Sequence, residues 1–106
     1  MCGIAGVFNY HGETVDPAVL ERMTKELIHR GPDDEGLWMN DYVGLGHRRL
    51  AIIDPTPAGH QPMKSADGRY VLSYNGEIYN FRELRDELRK KGYSFYSGSD
   101  TEVVLQ

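Results

Sequence analysis

Apolar and polar positions along the chain predict both strands and helices. Residues 4–9 form a short, mostly apolar run that indicates a buried strand. Asp16 and Pro17 are typical of a helix N-cap and a first helical residue. The Gly-Pro pair at 31–32 is expected to end that helix. Its apolar stripe at helical spacing consists of Leu20, Met23 and Leu27.

The middle of the chain continues with strands and one long loop. Segments rich in β-forming residues predict strands at 36–40, 43–54, 69–74 and 93–97. A tight turn at 40–42 is expected to join the first two of these strands. Residues 55–68 contain three prolines and two glycines, so we expect a loop there.

Two capping signals predict helices in the last third of the chain. Asn80 and Glu83 have capping-box spacing, and Gly92 is a typical helix stop. The apolar face of the helix between them consists of Phe81, Leu84 and Leu88. Ser99 and Glu102 form a second capping box. Because the helix that it opens has barely begun when the sequence ends, we expect the sequence to be a piece of a longer protein.

Composition narrows the functional classes. The 106 residues make at most one small domain, and 40% hydrophobic with 26% charged residues is typical of soluble proteins. The net charge of −4 gives no reason to expect nucleic acid or a membrane surface as a partner. The sequence lacks both a membrane-spanning apolar run and a signal-peptide pattern. Its single cysteine cannot form an internal disulfide, which favours a cytoplasmic protein.

Cys2 is the most informative residue in the chain. Removal of Met1, which normally occurs before a small residue, would leave Cys2 with both a thiol and a free α-amine. A deprotonated thiol is a strong nucleophile, and an α-amine is a usable base near neutral pH. The pair therefore predicts a self-activated nucleophile. By position alone, the simpler interpretation of Cys2 is a small buried hydrophobic residue near a chain end.

Five stretches in a fixed order carry a family resemblance. They are CGIAG at 2–6, HRGPD at 29–33, GHRRLAIID at 46–54, YNGEIYN at 74–80 and GSDTE at 98–102. Together they resemble the class II glutamine amidotransferases, which are N-terminal-nucleophile hydrolases. The stretch NGEIYN at 75–80 is most similar to the glutaminase domain of the asparagine synthetase branch.

The resemblance implies an α+β fold with a four-layer αββα sandwich of antiparallel sheets. Because the family's domain is longer than this chain, the sandwich would be incomplete at its C-terminal end. Residues 1–106 would be the N-terminal part of a type-2 glutamine amidotransferase domain, with the synthetase domain absent. Exposed sheet edges and apolar faces would then favour low stability or self-association, including a homo-oligomer.

The resemblance also implies the chemistry. The thiolate of Cys2 would attack the side-chain amide of L-glutamine, forming a glutamyl thioester, while its α-amine carries the proton to departing ammonia. The side-chain amide of Asn75 and the backbone N–H of Gly76 would stabilise the oxyanion. An Asn-Gly pair by itself is also a typical turn.

Substrate binding is assigned by the same resemblance. Adjacent strand residues point to opposite faces, so only one of Arg48 and Arg49 can face the pocket. The resemblance assigns the substrate carboxylate to Arg49, whose guanidinium matches a carboxylate. Asp100 would bind the α-ammonium group, although an acidic residue in a first helical turn is favourable anyway. Glu77 would contribute to the pocket, with a surface carboxylate as the alternative. Backbone groups lining the pocket would come from Leu50, Ala51, Ile52 and Ile53.

No cofactor or metal is expected in this chain. His47 and His60 invite a metal site with Cys2, but no pair has the spacing of metal ligands. ATP and Mg²⁺ belong, by resemblance, to the absent synthetase domain. The motif residues His29, Arg30 and Asp33 receive no role from their chemistry.

Three functional hypotheses follow. The first is a glutaminase that supplies ammonia for ATP-dependent asparagine synthesis from aspartate. The second is an inactive fragment that serves only as a structural or interaction module. The third keeps the glutaminase but assigns its ammonia to a different acceptor, because acceptor chemistry lies outside these residues.

Overall fold

A three-stranded antiparallel sheet forms the centre of the fold. The computed structural model describes residues 2–50 and 56–106. The sheet contains β1 (Gly3–Phe8), β2 (Asp34–Asn40) and β3 (Val43–Arg49), in the order β1-β3-β2. The other strands and α-helices of the described residues are β4 (Met63–Lys64) and β5 (Val71–Leu72), which form an antiparallel pair, and α1 (Pro17–Lys25), α2 (Phe81–Lys90) and α3 (Asp100–Leu105). The predicted α+β class with antiparallel sheets is confirmed.

Helix α1 packs on one face of the sheet because β3 carries glycines there. A Cβ atom on Gly44 would lie 2.9 Å from the Leu20 side chain, and one on Gly46 would overlap the Thr24 hydroxyl. Leu20 and Thr24 have no exposed surface. The Thr24 hydroxyl donates to the Leu20 carbonyl at 2.8 Å, so its polar group is satisfied within the helix. Small residues on β3 thus set the helix-to-sheet distance.

The opposite face of the sheet is covered at one end only. His47 is 1% exposed, whereas Ile4 and Phe8 on the same face are 51% and 64% exposed. The backbone of Gln61 lies against Gly36, where any side chain would overlap it. The predicted strand at 4–9 is therefore confirmed as β1, but the prediction that it is buried is wrong, because only its helix-facing side is covered among the described residues.

Helix α1 ends earlier than the Gly-Pro pair at 31–32 predicted. After Lys25 the chain continues in turns, in which the N–H of Leu27 donates to Thr24 and that of Arg30 to Leu27. These turns bring Gly31 onto the backbone of Arg48, where a side chain would overlap. The glycine therefore marks a close approach between segments and not the helix end.

Three predicted strands are shorter than expected or missing. The strand predicted at 43–54 ends at Arg49 among the described residues, and residues 51–55 lie outside them. The strand predicted at 69–74 is limited to β5, and residues 93–97 form no strand. The predicted loop at 55–68 contains the short strand β4 and a 3₁₀ turn at Pro57–Gly59.

Contacts of Glu102 explain the missing strand at 93–97. Its carboxylate is fully buried and accepts the backbone N–H groups of Tyr96 and Ser97 at 2.8 to 3.2 Å. These amides are thereby used by a side chain and not by a neighbouring strand. The Ser99 hydroxyl accepts from the N–H of Thr101 at 3.1 Å, which confirms the predicted N-cap of α3. The N–H of Ser99, which a capping box would pair with Glu102, donates instead to the Ser97 hydroxyl.

The other two helix caps differ from each other. Asp16 accepts from the N–H of Ala18 at 2.9 Å, which confirms the predicted N-cap of α1. Asn80 precedes α2 as predicted, but its side chain makes no capping hydrogen bond, so the capping-box prediction is wrong there. None of the helices in the described ranges is long and apolar enough to cross a membrane.

His47 is a buried histidine at the covered end of the sheet. Its Nδ1 lies 2.9 Å from the Ser73 hydroxyl, and Nε2 has no hydrogen-bond partner among the described residues. Burial, followed by the nearby positive charge of Arg49, lowers the pKa of His47 from 6.5 to about 4. The imidazole is therefore neutral in the folded protein at pH 7.

We predict that Gly46→Ala destabilises the fold by about 1–3 kcal/mol, because the new methyl group overpacks the α1 contact at Thr24. Urea unfolding measures the change. Gly6→Ala is the matched control: its Cβ would lie 3.7 Å from Leu45, an ordinary contact. Equal stability of the two variants would contradict the close-approach explanation.

We also predict that the free energy of unfolding falls as the pH drops from about 6.5 to about 4. The unfolded chain binds a proton on His47 near its ordinary pKa, whereas the folded chain binds it only near pH 4. Between about pH 7.5 and about pH 5 this linkage removes about 2 kcal/mol.

Urea unfolding of the wild type and of His47→Gln across this pH range tests the linkage. The variant should lose about 2 kcal/mol less than the wild type over the interval. His11→Gln removes an exposed histidine and should keep the wild-type slope. Identical slopes in the wild type and His47→Gln would show that His47 does not carry the effect.

Candidate active site

One cavity of about 360 Å³ gathers the predicted site residues. It is lined by every predicted residue that the structure describes: Cys2, Arg49, Leu50, Asn75, Gly76, Glu77 and Asp100. The predicted residues Ala51, Ile52 and Ile53 lie outside the described ranges. Residues far apart in sequence therefore meet at one place, while their individual roles stay predictions.

Cys2 lies immediately before β1 and contacts the residue after β3. The backbone N–H of Leu50 donates to the Cys2 sulfur at 3.3 Å, and the thiol lies 3.8 Å from the Leu50 carbonyl. The Arg30 side chain donates to the Cys2 carbonyl at 3.3 Å. Neighbouring residues thus contact both the sulfur and the carbonyl group of Cys2, and Cys2 lines the cavity.

The two adjacent arginines of β3 point to opposite faces, as strand alternation predicts. Arg48 donates to the Gly31 carbonyl at 2.9 Å and forms an ion pair with Glu35 at 3.1 Å, away from the cavity. Arg49 lines the cavity, is 6% exposed and donates to the Thr56 carbonyl at 2.8 Å. A guanidinium is thereby held at the wall with the fixed geometry that suits a carboxylate.

Asn75 and Gly76 lie in a segment that is neither helix nor strand and follows β5, which ends at Leu72, so the strand predicted at 69–74 does not reach them. The segment is also not a type I′ turn, which requires positive φ at its glycine. Gly76 is not among the described glycines with positive φ, and a Cβ there would lie 2.7 Å from the Tyr74 hydroxyl. A side chain at Gly76 would therefore require the Tyr74 side chain to shift.

Asp100 begins α3 and is 5% exposed. One carboxylate oxygen accepts from the backbone N–H of Ile78 at 3.0 Å. Asp100 is therefore both the first residue of α3 and part of the cavity wall. Glu77 is exposed and lines the same cavity from the opposite segment.

Several lining residues were absent from the sequence-based prediction of the site: Gln61, Tyr74, Tyr79, Ser99 and Thr101. Four of them belong to the motif stretches and could have been included as neighbours of predicted residues: Tyr74, Tyr79, Ser99 and Thr101. Gln61 lies in the segment interpreted as a loop, and no local pattern distinguishes it.

Two of the remaining motif residues, Arg30 and Asp33, contact residues of the cavity wall. Arg30 orients Cys2, as described above, and the backbone N–H of Asp33 donates to the Arg49 carbonyl at 2.9 Å. His29 is exposed. His60 pairs with Asp34 at 2.5 Å, and within the described ranges no group of three His, Cys, Asp or Glu residues could hold a metal ion.

Comparison with known proteins gives one consistent result. The sequence profile of the glutamine amidotransferase domain matches residues 1–106. Asparagine synthetase (glutamine-hydrolyzing) 1 of Bacillus subtilis is 48% identical over 108 residues, which cover 99% of this chain and 17% of that protein. Asparagine synthetase (glutamine-hydrolyzing) 3 of the same organism is 44% identical, with the same coverage of both chains.

A relative from a second bacterium agrees. Asparagine synthetase B (glutamine-hydrolyzing) of Escherichia coli is 42% identical over 107 residues, which cover 99% of this chain and 19% of that protein. The chain thus spans less than a fifth of the length of these relatives. Because the profile matches the entire sequence, the chain belongs to the glutamine amidotransferase domain family.

Proposed function

We propose that this chain hydrolyses the side-chain amide of L-glutamine to glutamate and ammonia. The observation that carries the proposal is the single cavity shared by the Cys2 thiol, the Arg49 guanidinium and the Asp100 carboxylate. Glutamine has a carboxylate and an ammonium group at one end and an amide at the other. A cation, an anion and a nucleophile around one cavity match these three groups.

In the proposed reaction, Met1 is removed and the thiolate of Cys2 attacks the amide carbon. The developing oxyanion receives hydrogen bonds from the side-chain amide of Asn75 and the backbone N–H of Gly76. The α-amine of Cys2 accepts the thiol proton and delivers it to the departing nitrogen, so that the C–N bond breaks and ammonia leaves. Water then attacks the glutamyl thioester, with the same amine as base, and releases glutamate and the free thiol.

Substrate orientation follows from the charged walls. Arg49 binds the α-carboxylate with two parallel hydrogen bonds, and Asp100 binds the α-ammonium group. Glu77 adds a second negative charge at the cavity. Leu50, Ala51, Ile52 and Ile53 contribute backbone groups. Holding the charged end in this way aligns the amide with the sulfur.

The chain is also proposed to act as one part of a larger cytoplasmic enzyme. Its residues would form the N-terminal part of a type-2 domain whose complete fold is a four-layer αββα sandwich. The relatives' names, asparagine synthetase (glutamine-hydrolyzing), support a synthetase function in the larger enzyme. We propose that this absent domain uses ATP and Mg²⁺ to convert aspartate to asparagine with the released ammonia. L-glutamine and that domain are the proposed partners.

Intact-mass measurement after incubation with a diazoketone analogue of L-glutamine tests the proposal. We expect a mass without Met1 plus one adduct for the L-isomer and none for the D-isomer, because the charged walls fix the substrate's stereochemistry. Cys2→Ala should give no adduct and no glutamate release, with an unchanged circular dichroism spectrum.

Two other results of the labelling experiment would contradict the proposal. Equal labelling by both isomers would indicate a generic thiol and support an inactive module. The absence of any adduct on the wild type would show that this chain forms no glutamine site by itself.

Asp100→Asn should raise the KM for glutamine by about 10- to 100-fold, because one charge-assisted interaction is worth about 1.5–3 kcal/mol. The asparagine keeps an oxygen that accepts from Ile78, so the wall is preserved and kcat should change little. Steady-state glutamate release measures both constants.

Asp86→Asn is the control for this substitution. Asp86 lies on α2 with its side chain 70% exposed and 3.9 Å from Arg89, so both constants should equal those of the wild type. An unchanged KM in Asp100→Asn would restrict Asp100 to the role of a helix-terminal acid.

A further inference from the structure

Gln61 is a buried polar residue at the cavity that the proposed reaction does not use. It is 5% exposed and lines the cavity beside the predicted residues. Its backbone is fixed against the sheet, because its carbonyl lies where any side chain on Gly36 would be. A buried amide that is anchored in this way has little freedom to move.

The side chain of Gln61 connects two walls of the cavity. Its carbonyl oxygen accepts from the backbone N–H of Tyr74 at 2.6 Å, and its amide nitrogen donates to the Thr101 hydroxyl at 3.2 Å. Tyr74 precedes the segment with Asn75 and Gly76, and Thr101 lies in the first turn of α3. Gln61 therefore joins the proposed oxyanion donors to the helix that carries Asp100.

The segment between these contacts depends on them. Residues 75–77 belong to no helix or strand. The segment is held at its start by Gln61, through Tyr74, and at its end by Asp100, through Ile78. Since Asp100 and Thr101 are adjacent, both connections lead to the same helical turn. Gln61, residues 74–78 and the first turn of α3 are thus joined in a ring of hydrogen bonds that includes the oxyanion donors.

We propose that Gln61 is a positioning residue that sets the location of Asn75 and Gly76 relative to Cys2 and Asp100. The inference rests on the proposed glutaminase function for its kinetic consequence. Gln61 does not contact the reacting atoms in this role. It acts by holding the backbone N–H of Tyr74 and, through it, the start of residues 75–77, which we call the oxyanion segment.

Gln61→Met removes both hydrogen bonds at nearly constant volume. We expect kcat for glutamine hydrolysis to fall about 10- to 100-fold, because a displacement of about 1 Å in a reacting geometry costs about that much. KM should change less than about threefold, since Arg49 and Asp100 remain in place. Gln106→Met is the matched control: the Gln106 side chain donates one exposed hydrogen bond to the Ser94 carbonyl, so both constants should stay at the wild-type values.

A double-mutant cycle identifies the route of the effect. If Gln61 acts through the oxyanion segment, Gln61→Met should cost much less in an Asn75→Ala background than in the wild type. Full additivity of the two losses would overturn the proposed route. A loss confined to KM, with kcat unchanged, would overturn it as well.

Hydrogen exchange gives a readout that needs no activity. The Tyr74 amide should be protected in the wild type and in Gln106→Met, and it should exchange at least tenfold faster in Gln61→Met. Unchanged exchange would overturn the positioning role even if the enzyme is active. Conversely, a wild type without hydrolysis but with the expected exchange pattern would contradict the proposed function while leaving the contact role of Gln61 supported.

Discussion

Antiparallel pairing of β1 with β3 is the interaction on which the rest of the structure depends. The register opposes Gly3 to Arg48 and so brings Cys2, one residue earlier, beside Arg49 and Leu50. The strand pairing itself is made by backbone hydrogen bonds, which do not depend on side-chain identity, and it brings the N–H of Leu50 to the Cys2 sulfur, 48 positions away in sequence. A shift of one residue would turn Arg49 to the α1 face and Arg48 to the cavity.

The two faces of this sheet are organised differently. Toward α1, glycines and small side chains allow close packing around Leu20 and Thr24. Toward the cavity, the buried residues are largely polar, and among those described they include His47, Arg49, Gln61, Asp100 and Glu102. Burying such groups is costly unless they are hydrogen-bonded. Their network therefore specifies one arrangement of the loops more strongly than an apolar surface would.

This polar layer explains where sequence reasoning about the fold succeeded and failed. The α1 N-cap at Asp16 and the hairpin of β2 and β3 depend on local chemistry, and both are present. The segment 93–97 has the composition of a strand, yet the Glu102 carboxylate takes the amides of Tyr96 and Ser97. Local propensity is a weak prior when a distant side chain competes for the same backbone groups.

The candidate site likewise has features that the sequence predicts and features that only the tertiary structure shows. From the sequence alone come the residue types, their order, and the alternation that separates Arg48 from Arg49, because these depend on covalent neighbours and strand geometry. Only the tertiary structure decided that Gln61 joins two walls of the cavity and that Asp100 holds the end of the oxyanion segment. Those contacts link residues 13 to 40 positions apart, and no local pattern encodes which distant backbone group a buried side chain will meet.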